Sequence, residues 1–193
     1  MARFIAYVLA LSILICSGVF AKGIKLGLGF DYAPTAKVKY VRNPELNFEI
    51  FDNLIWQGKA TYDFGNGFSG GALFDYLSKS IHPQDYLTTK LSLWGIGVCA
   101  DYGYNMTESG HAQLVGGIET GYARLRDKSG ESSVSDGSLW ATGVAGLRFL
   151  IVKNFWLETD YQLSWMQFGP ISIREKKYDL SGSSLKLTLD YQL

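Results

Sequence analysis

The sequence predicts an all-β fold, an eight-stranded antiparallel up-and-down transmembrane β-barrel. Apolar and polar residues alternate through almost the whole chain after residue 22, and this period of two is typical of strands with two different faces. The composition agrees, since 22 glycines and 15% aromatic residues accompany only 19% charged residues. The connections between the alternating segments are also long and short in turn, as expected when every second connection lies at the same end of a barrel.

Residues 1–21 are predicted to be a secretory signal peptide, which leaves residues 22–193 as the barrel domain. Arg3 precedes an apolar core at residues 5–15, and the small residue Ala21 directly precedes the predicted cleavage site. An uncleaved membrane anchor is the alternative, but the apolar run is shorter than the roughly 20 residues of a spanning helix. Cleavage would remove Arg3 and Cys16, so Cys99 could form no internal disulfide.

Eight segments alternate clearly enough to be predicted as strands. They are residues 24–32, 54–64, 68–76, 94–104, 112–122, 139–151, 155–165 and 185–193. Most are close to the roughly 9–11 residues with which a tilted strand crosses a membrane. Leu91 and Leu93 are out of phase with Trp94 and Ile96, which predicts a β-bulge near Leu93.

The connections predict which end of the barrel faces outward. The first, fifth and seventh are long, at residues 33–45, 126–137 and 169–183, with a medium third connection at 78–85. The even connections are short, at 65–67, 105–110 and 152–154. Barrels of the outer membrane combine long outer loops with short periplasmic turns.

The polar face is predicted to fill the interior. An eight-stranded barrel is filled by side chains, and charges buried there must be paired. If Arg148 and Glu158 share this face on one hairpin, they lie opposite each other and Asn154 occupies the left-handed region. The candidate members of interior ion pairs are Arg148, Glu158, Glu119 and Asp160. A narrow ion path is the alternative, which so few strands disfavour.

Aromatic residues near the ends of the apolar segments predict two interfacial girdles. Tyr62, Phe64, Phe68, Tyr102, Tyr104 and Tyr191 lie toward the short turns, and Tyr32, Tyr76, Tyr122, Trp140 and Trp165 lie toward the long loops.

The C-terminus resembles the assembly signal of outer-membrane proteins. Its alternating residues are Leu185, Leu187, Leu189, Tyr191 and Leu193, where Leu193 takes the place of the usual terminal aromatic residue. With the export signal and the eight strands, the mature chain resembles small outer-membrane barrels of the OmpA/OmpX type. The resemblance implies a cell outer-membrane location, contact with outer-membrane lipid and lipopolysaccharide, and folding by the outer-membrane assembly machinery. It also implies a monomer with a structural or surface-interaction role.

Basic residues in the predicted outer loops are candidates for contact with lipopolysaccharide phosphates. They are Lys37, Lys39, Arg42, Arg174, Lys176 and Lys177, with Arg126 and Lys128 on a further loop. Acidic residues in the same loops dilute this charge, so a merely solvated surface is the alternative.

One outer loop also combines residue types used in nucleophilic catalysis. Ser80, His82 and Asp85 could serve as nucleophile, base and orienting acid in a lipid A-modifying barrel enzyme. The His-x-Ser-Asn pattern of the lipid A deacylases is absent, so we do not expect an enzyme.

Composition excludes several other classes. The 18 basic and 18 acidic residues give no broad basic surface for nucleic acid, and two cysteines make neither a disulfide scaffold nor a cysteine zinc site. No cofactor or metal is expected. The remaining alternative is an exported lipocalin-like barrel that binds an apolar ligand, because alternation alone does not say which face is inside.

Overall fold

The computed structural model describes residues 23–81, 88–171 and 176–193. The predicted signal peptide, His82, Asp85 and Arg174 lie outside the described residues. The strands are β1 (Ile24–Tyr40), β2 (Phe48–Gly65), β3 (Phe68–Ile81), β4 (Thr89–Asn105), β5 (Ala112–Ser129), β6 (Ser132–Val152), β7 (Phe155–Ile171), β8 (Lys176–Asp179) and β9 (Gly182–Gln192). A turn of 3₁₀ helix at Pro44–Leu46 joins β1 to β2. In the part of the chain that the structure covers, no helix is both long and apolar enough to span a membrane.

The strands form one closed antiparallel ring, as predicted. Each strand from β1 to β7 pairs with the next in sequence, and β8 and β9 both pair with β7 on one side and β1 on the other. Together β8 and β9 therefore form the eighth stave of the barrel. We name the end with the turns at 66–67, 106–111 and 153–154 the inner rim, and the opposite end the outer rim.

Burial alternates along the strands and shows which face is inside. Leu28 and Ile118 point outward with 75% and 65% of their surface exposed, whereas Lys59 and Asp160 point inward with 7% and 1% exposed. A belt of apolar side chains facing outward is suited to lipid and would be costly in water. A lipocalin-like barrel needs the reverse arrangement, with apolar side chains lining its interior.

The turn predictions are confirmed in their main features. Arg148 pairs with Glu158, and Asn154 has a φ of 71°. The hairpin closes one step later than predicted, because Val152 pairs with Phe155 and the ladder shifts just before that pair. Gly67 also has the predicted positive φ, of 85°.

The predicted long outer loops are wrong for most of their length, because the strands continue beyond the membrane-spanning segments. Residues 33–40 belong to β1, and residues 126–129 and 132–137 belong to β5 and β6, which leaves a turn at 130–131. In these extensions the apolar side chains turn inward, so the strand pattern persists with its faces exchanged.

The same exchange of faces explains two further corrections. No bulge occurs near Leu93, since Leu93 pairs with Leu77 and Trp94 with Tyr76 in an unbroken register. Leu93 is fully buried inside the barrel, whereas Trp94 faces outward. Trp140 belongs to no girdle, because its side chain lies in the interior and is 3% exposed.

The interior therefore has two layers. Toward the inner rim lies a charged layer, whose main members are Lys25, Asp31, Lys59, Asp75, Asp101, Glu119, Arg148, Glu158, Asp160, Lys186 and Asp190. Toward the outer rim lies an apolar layer of buried residues that includes Val38, Leu77, Leu93, Leu125, Trp140, Met166, Phe168 and Tyr178.

The wall has one irregular place, between β1 and the eighth stave. The β1–β9 ladder ends at Tyr32 and Leu185, and the β1–β8 ladder begins at Lys37 and Asp179. Residues 33–36 of β1 therefore have no cross-strand partner in the eighth stave. We call this interruption the seam.

Candidate functional site

The charged layer contains an ion cluster toward the inner rim. Glu158 accepts a hydrogen bond from Lys59 Nζ at 2.7 Å and also pairs with Arg148. Lys59 Nζ lies 3.5 Å from Asp190 Oδ2. The ionic side chains of this cluster are at most 4% exposed. The geometry thus places two sequence candidates, Arg148 and Glu158, in direct contact.

A second cluster lies next to the first, toward the apolar layer. Lys186 Nζ donates to Glu119 Oε1 at 2.6 Å and lies 3.6 Å from Asp160 Oδ2. Gln57 donates through its amide nitrogen to Asp75 at 3.0 Å and to Glu119 at 3.3 Å. The other two candidates, Glu119 and Asp160, therefore share Lys186. Asp160 is its cross-strand partner on β7, whereas Glu119 reaches it across the interior from β5, a contact that sequence spacing could not indicate.

Glycines on the inward face make space for these long side chains. A Cβ at Gly27 would lie 2.1 Å from Asp190 Oδ1, and a Cβ at Gly146 would lie 2.1 Å from Asp160 Oδ1. Both contacts are far inside van der Waals distance, so glycine at these two positions is required by the charges that it faces.

The outer extensions hold a further buried polar group within the apolar layer. Asp127 Oδ2 accepts hydrogen bonds from Lys176 Nζ at 3.0 Å and from Tyr178 OH at 2.6 Å. Burial and the hydrogen bond to Asp127 raise the pKa of Tyr178 above its usual range. The sequence predicts Lys176 on the surface, but the residue is buried, with 6% of its surface exposed, because it shares the inward phase of β8 with Tyr178. That expectation is wrong.

The remaining cations predicted for the outer loops are distributed around β1 and β8. Lys37, Lys39, Arg42 and Lys177 are exposed, and Arg174 lies outside the described residues. Lys39 Nζ lies 3.6 Å from Asp179, and Lys37 is the cross-strand partner of Glu49 and of Asp179. Acidic neighbours thus compensate part of this surface.

A denser basic surface lies on β4 and β5. We call it the basic column, and its members are Lys90, Arg124, Arg126 and Lys128. Lys90 is directly opposite Lys128, and Arg124 is opposite Trp94. Sequence analysis found Arg126 and Lys128 but missed the other two. Lys90 has the same outward phase as Trp94, and Arg124 has the same outward phase as Tyr122. This spacing is the sequence signal that indicates Lys90 and Arg124.

Only one of the three catalytic candidates, Ser80, lies among the described residues. Ser80 is an exposed residue near the end of β3, opposite Lys90. His82 and Asp85 lie outside the described part of the chain. Across the described ranges, no group of His, Cys, Asp and Glu is arranged to hold a metal ion.

The predicted assembly signal forms most of the last strand. Leu185, Leu187, Leu189 and Tyr191 face outward from β9, with exposures of 37–59%. The strand closes the barrel, since its residues pair with β7 and with β1 along the inner half.

Comparison with solved structures shows the same fold in several bacterial surface barrels. Neisserial surface protein A (NspA) superposes with a TM-score of 0.63 at 14% identity, over 91% of this chain and 100% of that chain. OprG from Pseudomonas aeruginosa gives 0.60 at 11% identity, over 89% and 96%. Ail, the attachment invasion locus protein of Yersinia pestis, gives 0.53 at 16% identity, over 88% and 98%.

Comparison with known sequences identifies the family of the chain. No significant match appears among curated proteins. The family described as "Outer membrane protein beta-barrel domain" matches residues 7–192, which include every strand of the barrel. The chain therefore belongs to the outer membrane protein β-barrel domain family, and it is a β-barrel of the cell outer membrane.

Proposed function

We propose that this protein is a closed barrel that does not conduct ions and that binds lipopolysaccharide phosphates on its outward basic column. The observation that carries the proposal is the position of the column immediately beyond the outer aromatic residues. Trp94 and Tyr122 face outward on β4 and β5, and Arg124 follows two residues after Tyr122 on the same face. Aromatic side chains mark the membrane interface, so the column begins where lipid headgroups lie.

Among the described strand residues, no acidic residue is a cross-strand partner of the column. Ser80 is opposite Lys90, Ser92 and Ser135 flank Arg126, and Ser133 is opposite Lys128, whereas Arg124 lies between Trp94 and Gly137. Asp127 on the same strand points inward to Lys176. Like charges on directly opposed residues destabilise a sheet, so Lys90 and Lys128 favour an anion between them.

Hydrogen bonds orient the two arginines of the column. Ser135 Oγ accepts from Arg124 Nη2 at 2.8 Å, and Ser133 Oγ accepts from Arg126 Nε at 2.7 Å. Guanidinium groups held in this way retain further N–H donors for phosphate oxygens. Ail has been crystallised with the heparin analogue sucrose octasulfate, a densely charged polyanion, and we take this as support for polyanion binding on a barrel of this fold.

The closed interior supports a role at the surface rather than in transport. The charged layer and the apolar layer follow each other along the barrel axis, and an eight-stranded barrel is only wide enough for side chains to fill it. We infer that residues 1–21 are removed on export, that β9 carries the signal read by the assembly machinery, and that the barrel works as a monomer without enzymatic activity.

Binding of purified protein to lipopolysaccharide tests the proposal. The variant Arg124→Gln/Arg126→Gln/Lys128→Gln should bind several-fold more weakly than the parent, and the remaining binding should depend less on salt. The matched control, Lys37→Gln/Lys39→Gln/Lys177→Gln, removes three exposed cations of β1 and β8, where Glu49 and Asp179 lie beside Lys37 and Asp179 also pairs with Lys39. Equal losses in both variants, or no loss in the first, would contradict a role for the basic column. Dephosphorylated lipid A should bind the parent weakly.

A further inference from the structure

A cavity lies at the boundary between the charged and apolar layers and reaches the wall at the seam. Ala33 and Thr35 of β1 line it from one side of the seam, and residues 182–184 line it from the other. The β1 ladder toward the eighth stave is interrupted at these positions. Pro34 has no N–H to donate there, and Gly182 has a φ of 147°. The cavity thus borders an interruption in the hydrogen-bonded wall.

The floor of the cavity is an acidic surface with too few cations. Asp31, Asp75 and Glu119 line it, and no Lys or Arg side chain does. Lys186 compensates Glu119 from below, at 2.6 Å. Among the described residues, neither Asp31 nor Asp75 forms an ion pair. Lys186 is also the cross-strand partner of Asp31, but its ammonium is paired with Glu119 and Asp160. The floor therefore carries more acidic than basic groups and attracts a further positive charge.

Orphaned acceptor atoms give independent support for a bound donor. Gln57 donates through its nitrogen to both Asp75 and Glu119, which fixes the amide so that its Oε1 is left for a donor. Gln57 is 7% exposed, and Oε1 has no hydrogen-bond partner. Asp31 Oδ1 is also buried, and the Ser184 hydroxyl beside it can donate one hydrogen bond, which leaves further lone pairs of the carboxylate for a ligand. All three residues line the cavity. Buried acceptors without partners cost free energy, so this arrangement favours a ligand with several N–H donors.

The other walls and the size limit the ligand further. Leu93, Trp140 and Met166 form the apolar side toward the outer rim. The cavity volume is about 40 Å³, which is space for a few waters or a small organic group. The described acidic groups are not arranged for multidentate binding of a metal ion. An ammonium group with a short alkyl substituent matches both surfaces.

We propose that this cavity is a binding site for small primary ammonium ions, which enter from the outer membrane interface through the seam. The ammonium donates to Asp31, Gln57 and Asp75, and its alkyl group contacts Trp140 and Met166. The site ends within the barrel, so it binds the cation without conducting it. This site is separate from the basic column, and its existence does not depend on lipopolysaccharide binding.

Methylammonium chloride is the probe, titrated into the folded full barrel in an uncharged detergent. The readout is the NMR signal of the Trp140 indole N–H, assigned with Trp140→Phe, because Nε1 is buried in the cavity wall without a partner. We expect a saturable shift of this signal with methylammonium. Sodium chloride at equal ionic strength and methanol, which has the methyl group without the charge, should give none.

Two isosteric variants locate the site. Asp31→Asn should raise the dissociation constant about tenfold, the effect expected when a hydrogen bond to a charged group is lost. The matched control, Asp101→Asn, removes a buried interior carboxylate that does not line the cavity, and should leave the constant unchanged. The heat-dependent gel mobility of the barrel reports whether each variant is folded.

Three outcomes would overturn the proposal. They are the absence of a saturable shift in the parent protein, an equal shift with sodium, and equal effects of the two substitutions. The first two need no variant, so a misfolded Asp31→Asn protein would not prevent the test.

Discussion

Arg148 of β6 and Glu158 of β7 are direct cross-strand partners, and their side chains form an ion pair inside the barrel. The pair is part of a larger cluster, because Glu158 also accepts a hydrogen bond from Lys59. One carboxylate thus links the neighbouring strands β6 and β7 to β2, which pairs with neither of them.

Replacing Arg148 by Met should destabilise the barrel by about 3 kcal/mol, because loss of one partner leaves a buried charge poorly compensated. The measurement is urea-induced unfolding in lipid vesicles. The double variant Arg148→Met/Glu158→Gln should lose less than the sum of the two single changes. Strictly additive losses would show that the two side chains do not interact energetically.

Gly146 and Gly143 on β6 provide a matched test of the space inside the barrel. A Cβ at Gly146 meets Asp160 and the β7 backbone, whereas a Cβ at Gly143 on the outward face has no neighbour within 4 Å. Gly146→Ala should cost about 1–3 kcal/mol of unfolding free energy through overpacking. Gly143→Ala should change it by less than about 0.5 kcal/mol. Similar unfolding curves for the two variants would exclude the proposed packing.

Tyr178 should make the stability of the outer extension depend on pH. Its pKa is raised in the folded protein by burial and by the hydrogen bond to Asp127. The folded state therefore retains the phenol proton where the unfolded chain, with an ordinary pKa of about 10, has lost it. The contribution of Tyr178 to the free energy of unfolding is complete below about pH 10. Above that pH it falls, by up to about 1.4 kcal/mol per pH unit.

The difference between the parent protein and Tyr178→Phe isolates this contribution, since the other tyrosines and the lysines titrate in both. Unfolding free energies measured between pH 8 and pH 11.5, roughly the range around an ordinary tyrosine pKa, give that difference. If the unfolding free energies of the two proteins changed in parallel with pH, Tyr178 would make no such contribution.

Planar bilayer recordings test the closed interior. We expect no discrete conductance steps from the parent protein, because charged and apolar layers fill the lumen in succession. A large general porin in the same bilayer is the positive control. Reproducible steps that disappear when the barrel is heat-unfolded would show that a path exists.

Much of the barrel could be predicted from the sequence because its physical causes are local. Alternation follows from the pleat of a strand, and the hairpin geometry near Asn154 follows from the need to place Arg148 and Glu158 on one face. Asp160 and Lys186 are cross-strand partners on β7 and β9, but the contact of Lys186 with Glu119 could not be predicted. It joins β9 to β5, which are not paired, and so depends on how the barrel brings strands together across its interior.

The sequence pattern predicts loops at the outer extensions for a different reason. Within the membrane the apolar side chains face lipid, but beyond it the same strand must turn apolar residues inward. Leu93 and Trp94 mark this exchange on β4, since they are adjacent in sequence and both apolar, yet lie on opposite faces. A search for one continuous apolar face therefore finds an irregularity where the strand is regular.

The short turn at residues 130–131 between the long β5 and β6 has an immunological consequence. Side chains that adjoin on this surface, such as Lys90 and Lys128, come from separate strands and are held in place by the sheet. An antibody that recognises this region must therefore bind a discontinuous epitope. Linear peptides copied from the sequence should fail to elicit antibodies against intact cells, whereas the folded barrel should succeed.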